Sequence, residues 1–238
     1  MARDADAMRA FWEARAEENA AFYVDTSMAY DDPDMVRFFA TGEQVVDLAL
    51  RRAPVQPARR GTAVEIGSGL GRICKALASE FDHVVGVDIS TAMVRRAREL
   101  VDDDRVRFEV GDGTTLAMLA DASVDFVCTF TVFQHQRSRD LIANYLHECG
   151  RTIAAGGVLA AQWNNLPPLR YRLDTLRWRL RRRRLDEVHA VTTEPEFRGT
   201  TASERWMRHQ LDRAGFDVVE VHGAGTLFAW VWGVRRDP

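Results

Sequence analysis

Three glycines at alternate positions, Gly67, Gly69 and Gly71, follow an apolar run that contains Val64, Glu65 and Ile66. Glycines so placed let a backbone turn tightly and pass close to a ligand, and the helical pattern after them would aim free amide groups at it. A second apolar run, Val84-Val85-Gly86-Val87, ends in Asp88. A carboxylate about twenty residues beyond such a glycine turn can accept from both hydroxyls of a ribose. A third run closes on Gly111-Asp112-Gly113, and a fourth, Val124 to Phe130, leads into Thr131-Val132-Phe133-Gln134-His135. A neutral imidazole at His135 is suited to take a proton from a hydroxyl, a phenol or a protonated amine near neutral pH. The alternative for the same side chain is a histidine that lines a pocket or bonds to a loop carbonyl.

The elements that must position these residues follow from periodicity. Strands are expected at 62–67, 83–88, 106–110, 124–130 and 157–163, with helices at 71–80, 91–101 and 138–154 and a looser stretch at 114–120. This alternation predicts a parallel sheet covered on both faces, with ligand atoms gathering at the carboxyl ends of the strands. Before it, an amphipathic helix is expected at 5–21 and another at 34–52, the latter after Asp31-Asp32-Pro33, with a linker around Pro54 and Pro57. After Trp163-Asn164-Asn165 the alternation stops. Residues 166–198 read as an insert, followed by a helix at 202–215 and two strands near 216–221 and 226–234. In the insert, Leu173, Leu176, Leu180 and Leu185 recur at helical spacing among the arginines of 177–184, so the arginines read as the wet face of an amphipathic helix whose leucines turn inward. A phosphate- or carboxylate-bearing acceptor is the main alternative reading of that run, beside a nucleic acid or an anionic lipid.

The chain has 238 residues, 46% of them hydrophobic, enough for one α/β domain with appendages. A formal net charge of −3 gives no global field toward nucleic acid or membrane. Lys75 is the only lysine beside abundant arginine. Cys74, Cys128 and Cys149 are scattered, with no C-x-x-C pair, and read as reduced buried thiols. No stretch has the apolar core of a signal peptide or the length of a membrane span, so a soluble cytoplasmic protein is expected.

The turn Glu65-x-Gly67-x-Gly69-x-Gly71 resembles motif I of the class I (Rossmann-like) S-adenosylmethionine (SAM) methyltransferases, and the runs ending at Asp88, Asp112 and Phe130 resemble the motifs that follow it. The resemblance spans 62–165, more loosely 200–236, and is nearest to bacterial small-molecule methyltransferases with an N-terminal helical cap. It implies a doubly wound, mainly parallel seven-stranded sheet whose last strand is antiparallel, a cap over 1–60 and a SAM-binding domain over 61–238 with a substrate lid at about 166–198. It further implies that Gly67, Ser68, Gly69 and Gly71 approach the methionine end of SAM, with Arg72 beside them, and that Glu65 orients its ammonium. Asp88 is expected on the ribose, Ile89 and Met93 at the adenine, Asp112 with Gly113 at the adenine amino group, and Phe130 on the active-site side. Tyr23, Gln134, Trp163 and Asn164 are the expected acceptor contacts, with Tyr30 and Trp12 nearby; packing between cap and core is the alternative, preferred for Trp12.

Sharper classes lack their residues. No Tyr-x-x-x-Lys pair suits a short-chain reductase, and the stretch after the fourth run lacks the N/D/S-P-P-Y/F motif of DNA amino-methylating enzymes. No acidic residue lies between Phe130 and Arg139, so no catalytic metal is expected. The resulting expectation is methyl transfer from SAM to O, N or C of a small acceptor, aromatic or anionic, by in-line displacement with His135 as base. His189 in the insert is a second candidate base. The alternative is a domain that binds SAM or its product S-adenosylhomocysteine (SAH) without transferring the methyl group, and a monomer or homodimer is expected in either case.

Overall fold

The computed structural model describes residues 2–181, 191 and 194–237. Seven strands form one sheet in the order β3-β2-β1-β4-β5-β7-β6. They are β1 (Thr62–Ile66), β2 (His83–Asp88), β3 (Val106–Val110), β4 (Val124–Thr129), β5 (Ile153–Trp163), β6 (Phe216–His222) and β7 (Ala229–Arg235). β1 to β5 pair in parallel, and β7 runs antiparallel between β5 and β6. The strand order reverses between β1 and β4, so the crevice of this doubly wound sheet opens at their carboxyl ends.

β4 is buried along its whole length, as a central parallel strand covered on both faces must be. One face packs Val64, Ile66, Val127 and Leu159 under α5 (Arg139–Thr152), and the other packs Ala63, Val84, Phe126 and Ala160 under α3 (Arg72–Leu77) and α4 (Thr91–Leu100). The Asp125 carboxylate accepts from the amides of Gly61 and Thr62, both at 3.0 Å, and so stitches the start of β1 to β4.

The N-terminal helix α1 spans Ala2–Val24 and is longer than its apolar pattern suggests. It breaks at Asn19 (φ −162°, ψ 84°), whose side chain takes over local bonding by accepting from the Phe22 amide and donating to the Tyr30 carbonyl. α2 (Met35–Val46) starts on an Asp34 cap and ends in a wider turn at Asp47–Arg51. β5 begins four residues earlier than its sequence suggests, because Gly156 adopts φ 73° and the ladder to β4 shifts register there instead of ending. The insert contains α6 (Pro168–Arg181) and the short α7 (Pro195–Arg198), and α8 (Glu204–Arg213) leads into β6. Leu185 and His189 lie outside the described residues, as does the position of the Leu180 side chain. The leucines that are described, Leu169, Leu173 and Leu176, face outward and not into the domain.

α2 and α3 approach so closely that a Cβ on Gly42 would lie 2.2 Å from the Arg72 carbonyl oxygen. A backbone atom cannot swing aside as a side-chain tip can. Gly42→Ala is therefore expected to cost about 1–3 kcal/mol by overpacking, read as a lowered urea midpoint; an unchanged midpoint would contradict this packing.

Candidate active site

A cavity of about 870 Å³ opens at the carboxyl ends of β1, β2 and β4. One end is walled by Gly67, Gly69, Asp88, Ile89, Met93 and Gly113. The glycine turn holds Gly67, Gly69 and Gly71 at φ 75°, 51° and 82°, a region that only glycine occupies at little cost. The turn is also crowded: a Cβ on Gly67 would sit 2.1 Å from Val132 Cγ2, and one on Gly69 2.7 Å from Val24 Cγ2. Asp88 Oδ2 accepts from the Gly69 amide at 2.8 Å and Oδ1 from the Ser90 amide at 2.9 Å. The Ile89 amide also bonds this carboxylate; with about four lone-pair positions in all, one remains for a hydroxyl donor. Burial raises the Asp88 carboxyl above the usual range, and the surrounding amides oppose that shift.

Two residues expected in this end are turned elsewhere. Glu65 is buried under α3, where Oε2 accepts from the amide and the thiol of Cys74, both at 2.9 Å. Burial pushes its carboxyl up to about 8, so near neutral pH it is mostly protonated. Asp112 is exposed and folds back on its own loop, accepting from the amides of Thr114 and Thr115 at 2.7 and 2.6 Å. Neither lines the cavity, and Ser68 and Gly71 lie behind its wall. Arg72 does line it; its guanidinium is 3.1 Å from Asp25 Oδ2 and also donates to Thr41, so its charge is neutralised in place.

The roof comes from α1. Arg9 donates to the carbonyls of Ile89 (3.2 Å) and Gly111 (3.1 Å), while Glu13 accepts from Ser90 Oγ (2.7 Å) and the Ala92 amide (3.1 Å). The Glu13 carboxylate thus serves the first turn of α4, where unpaired amides favour negative charge. These pins bring Met8 and Trp12 into the cavity wall. Sequence patterning missed Arg9 and Glu13 because charged residues on an Ala-rich helix read as solvated surface.

The other end is aromatic. Trp12, Tyr23, Phe130, Tyr171, Phe197 and Phe228 line it, together with Gln134, His135 and Asn164. The Tyr23 phenol donates to Glu18 Oε1 at 2.6 Å, and Asn164 Oδ1 accepts from the Leu166 amide at 3.1 Å. Trp163, expected at the acceptor, is fully buried in the core and donates from Nε1 to the Ala202 carbonyl at 3.0 Å. Side chains alternate along a strand, so Trp163 points to the core face opposite that of its neighbours.

His135 sits in a 3₁₀ turn (Phe133–His135), edge-on to Trp12 and tilted against Phe197, with ring centroids 5.4 and 4.8 Å away. Its protonation follows from a chain of hydrogen bonds anchored in backbone groups at both ends. The Thr131 amide donates to Gln162 Oε1 (2.8 Å), Gln162 Nε2 donates to Gln134 Oε1 (3.0 Å) and to the Leu227 carbonyl (2.7 Å), and Gln134 Nε2 then donates to His135 Nε2 (3.2 Å). Nδ1 therefore carries the proton and gives it to the Phe197 carbonyl. Burial pushes the imidazole down to about 4 against that last bond, so the ring is neutral across the physiological range.

Gln162 is the residue that sequence reading passed over, although a glutamine between the apolar runs of β5 was the visible signal. It also holds Thr131 at φ 59°, a costly conformation for a β-branched residue directly after β4. Gln162→Leu would strand the Thr131 amide and the Leu227 carbonyl, both part-buried, at a cost of about 1–3 kcal/mol for the two together. A urea midpoint equal to that of the wild type would rule out this pinning role.

No helix among the described residues is long and apolar enough to cross a membrane. Residues 64–161 match the family model described as a methyltransferase domain. No curated protein matches the chain. Among solved structures, the chain is similar to one from the complex between the Haloferax volcanii Trm112 methyltransferase activator and a methyltransferase, at 21% identity and TM-score 0.62, covering 92% of this chain and 97% of that one. It is similar to magnesium protoporphyrin IX methyltransferase of Synechocystis PCC 6803 with bound SAH, at 18% identity and TM-score 0.56, covering 84% of each chain. An S-adenosylmethionine-dependent methyltransferase from Mesorhizobium loti matches at 17% identity and TM-score 0.54, covering 74% of this chain and 92% of that one. At these identities the solved structures establish the shared fold, while the domain match reaches the glycine turn, Asp88 and β4 together. Residues 64–161 thus form a methyltransferase domain on the fold of the class I S-adenosylmethionine-dependent methyltransferases, and the chain is a methyltransferase with S-adenosylmethionine as its cofactor.

Proposed function

We propose that this enzyme methylates a small acceptor with an aromatic or extended apolar body, bound beside His135. The observation that carries the reading is that one cavity is lined by two chemically different sets of residues. In the first set, the Asp88 carboxylate keeps a lone pair for a ribose hydroxyl, and Ile89 and Met93 give a planar base an apolar wall. Gly67 and Gly69 bring bare backbone to the same wall, and Arg72 and Gly113 complete it. The donor set therefore fits SAM without Glu65 or Asp112. SAM supplies a methyl group on a positively charged sulfur, which is already a good leaving group.

The protein's task is to align the acceptor and exclude water. The α1 roof and the rings of Trp12, Phe130 and Phe197 serve exclusion. Gln134, Asn164 and Tyr23 offer polar atoms for orientation in an otherwise apolar wall. His135 suits positioning better than proton removal. A base works best with a pKa near the working pH, and an imidazole held near 4 is a weak acceptor of protons. With Nδ1 fixed on Phe197, Nε2 can exchange its bond from Gln134 for one from an acceptor O–H or N–H.

Transfer of labelled methyl from SAM to a panel of aromatic hydroxyl, amine and carboxylate compounds tests the function, and its pH profile tests the role of His135. A histidine lowered from 6.5 to about 4 is neutral above both values and becomes charged in the folded enzyme only as pH falls toward 4. The rate is therefore expected to show no inflection near 6.5 attributable to His135. An inflection there that disappears in His135→Asn would restore a conventional base. Cofactor binding with no transfer to any compound would favour the non-transferring alternative.

A further inference from the structure

On α6 (Pro168–Arg181), three leucines lie at helical positions i, i+4 and i+7, and all face solvent: Leu169 is 72% exposed, Leu173 48% and Leu176 55%. The opposite side of the helix is the one tied down. The Tyr171 hydroxyl donates to the Gly199 carbonyl at 2.8 Å, and Thr175 on the same side bonds back to the Tyr171 carbonyl at 2.8 Å. The apolar stripe thus points away from the domain, opposite to the orientation that the sequence pattern alone suggests.

Arginines border the stripe. Arg170 and Arg177 lie along one edge and Arg172 along the other, all three exposed. Residues 168–184 contain eight arginines and one acidic residue, Asp174, in a chain whose formal net charge is −3. A solvated helix face would carry charge without exposed leucines. A nucleic acid would satisfy the guanidinium groups and offer nothing to the leucines. An anionic bilayer surface satisfies both, since leucines enter the boundary of the acyl chains while arginine stems lie flat and their heads reach lipid phosphates.

We propose that α6 is a membrane-surface helix, which docks the enzyme on anionic lipid through Leu169, Leu173 and Leu176 and the arginines beside them. The proposal concerns a face outside the cavity and stands whether or not the acceptor reading holds. The placement has a consequence for that reading: Tyr171, on the inner side of α6, lines the cavity, where Leu227 and Phe228 are also exposed, so a docked α6 puts the cavity beside the lipid phase.

The test is co-sedimentation of the full chain with vesicles of phosphatidylcholine alone and of phosphatidylcholine with one-third phosphatidylglycerol. Binding is expected to the anionic vesicles only and to weaken several-fold as salt is raised. The triple variant L169S/L173S/L176S is expected to bind at least tenfold more weakly, and R170Q/R172Q to lose much of the preference for anionic vesicles. SAH titration and thermal melting of both variants, expected to match the wild type, show that the fold and the cofactor site persist. Absence of wild-type binding, equal binding to neutral vesicles, or binding that survives the leucine substitutions would overturn the proposal. So would retention on RNA in place of vesicles, or self-association of the chain that the leucine substitutions abolish without any vesicle binding.

Discussion

The structure depends on how closely the backbone at 67–71 must pass its neighbours. A single carbon added at Gly67, Gly69 or Gly71 would fall 2.1 Å from Val132, 2.7 Å from Val24 and 2.6 Å from Phe108. Those partners come from the loop after β4, the end of α1 and the middle of β3. One tight turn therefore fixes the spacing of three segments that would otherwise be independent. The same turn bonds to β2 through the Gly69 amide on Asp88, and the amides of Gly67 and Ser68 both reach the Val87 carbonyl. Close packing of this kind leaves little room for adjustment, because protein interiors are already near crystal density.

Around this fixed point, polar groups hold the parts that packing alone would leave loose. Arg9 and Glu13 attach the roof helix to the loops after β2 and β3, and the Asn19 break lets the rest of α1 follow a different path. Gln162 does the same for the loop after β4, joining Thr131, Gln134 and Leu227 in one part-buried set. A buried network in which every member has a partner fixes a single arrangement, whereas a partly satisfied one destabilises it. Here that arrangement sets the tautomer of His135, so the hydrogen bonding of an imidazole in the cavity wall is governed by a glutamine on β5.

The sheet was legible in the sequence because each strand is a short apolar run closed by a residue that cannot continue it, as at Asp88 and Gly111. The antiparallel last strand was legible through the resemblance of the glycine turn and its three successors to known motifs. What could not be read was which way a polar side chain turns at a strand end. Glu65 and Asp112 have the expected types and positions, yet one bonds under α3 to Cys74 and the other caps its own turn. Trp163 and Asn164 are adjacent in sequence and face opposite ways, which depends on the register of β5 after the shift near Gly156. The leucines of α6 illustrate the same limit: helical spacing identifies a shared face, and only the Tyr171 contact with the backbone at Gly199 determines which face is inward.

The central claim is that the glycine turn and Asp88 form a nucleoside site within one preformed cavity. Calorimetric titration of the wild type and of Asp88→Asn with SAH tests it most directly, since the substitution keeps the side chain's size and one acceptor oxygen while removing its charge. The account predicts micromolar binding to the wild type and a loss of at least tenfold in the variant, measured at a temperature where circular dichroism shows both proteins folded, with a lowered melting temperature in the variant because one backbone amide loses its acceptor. Equal affinity in both, or no binding to the folded wild type, would contradict it.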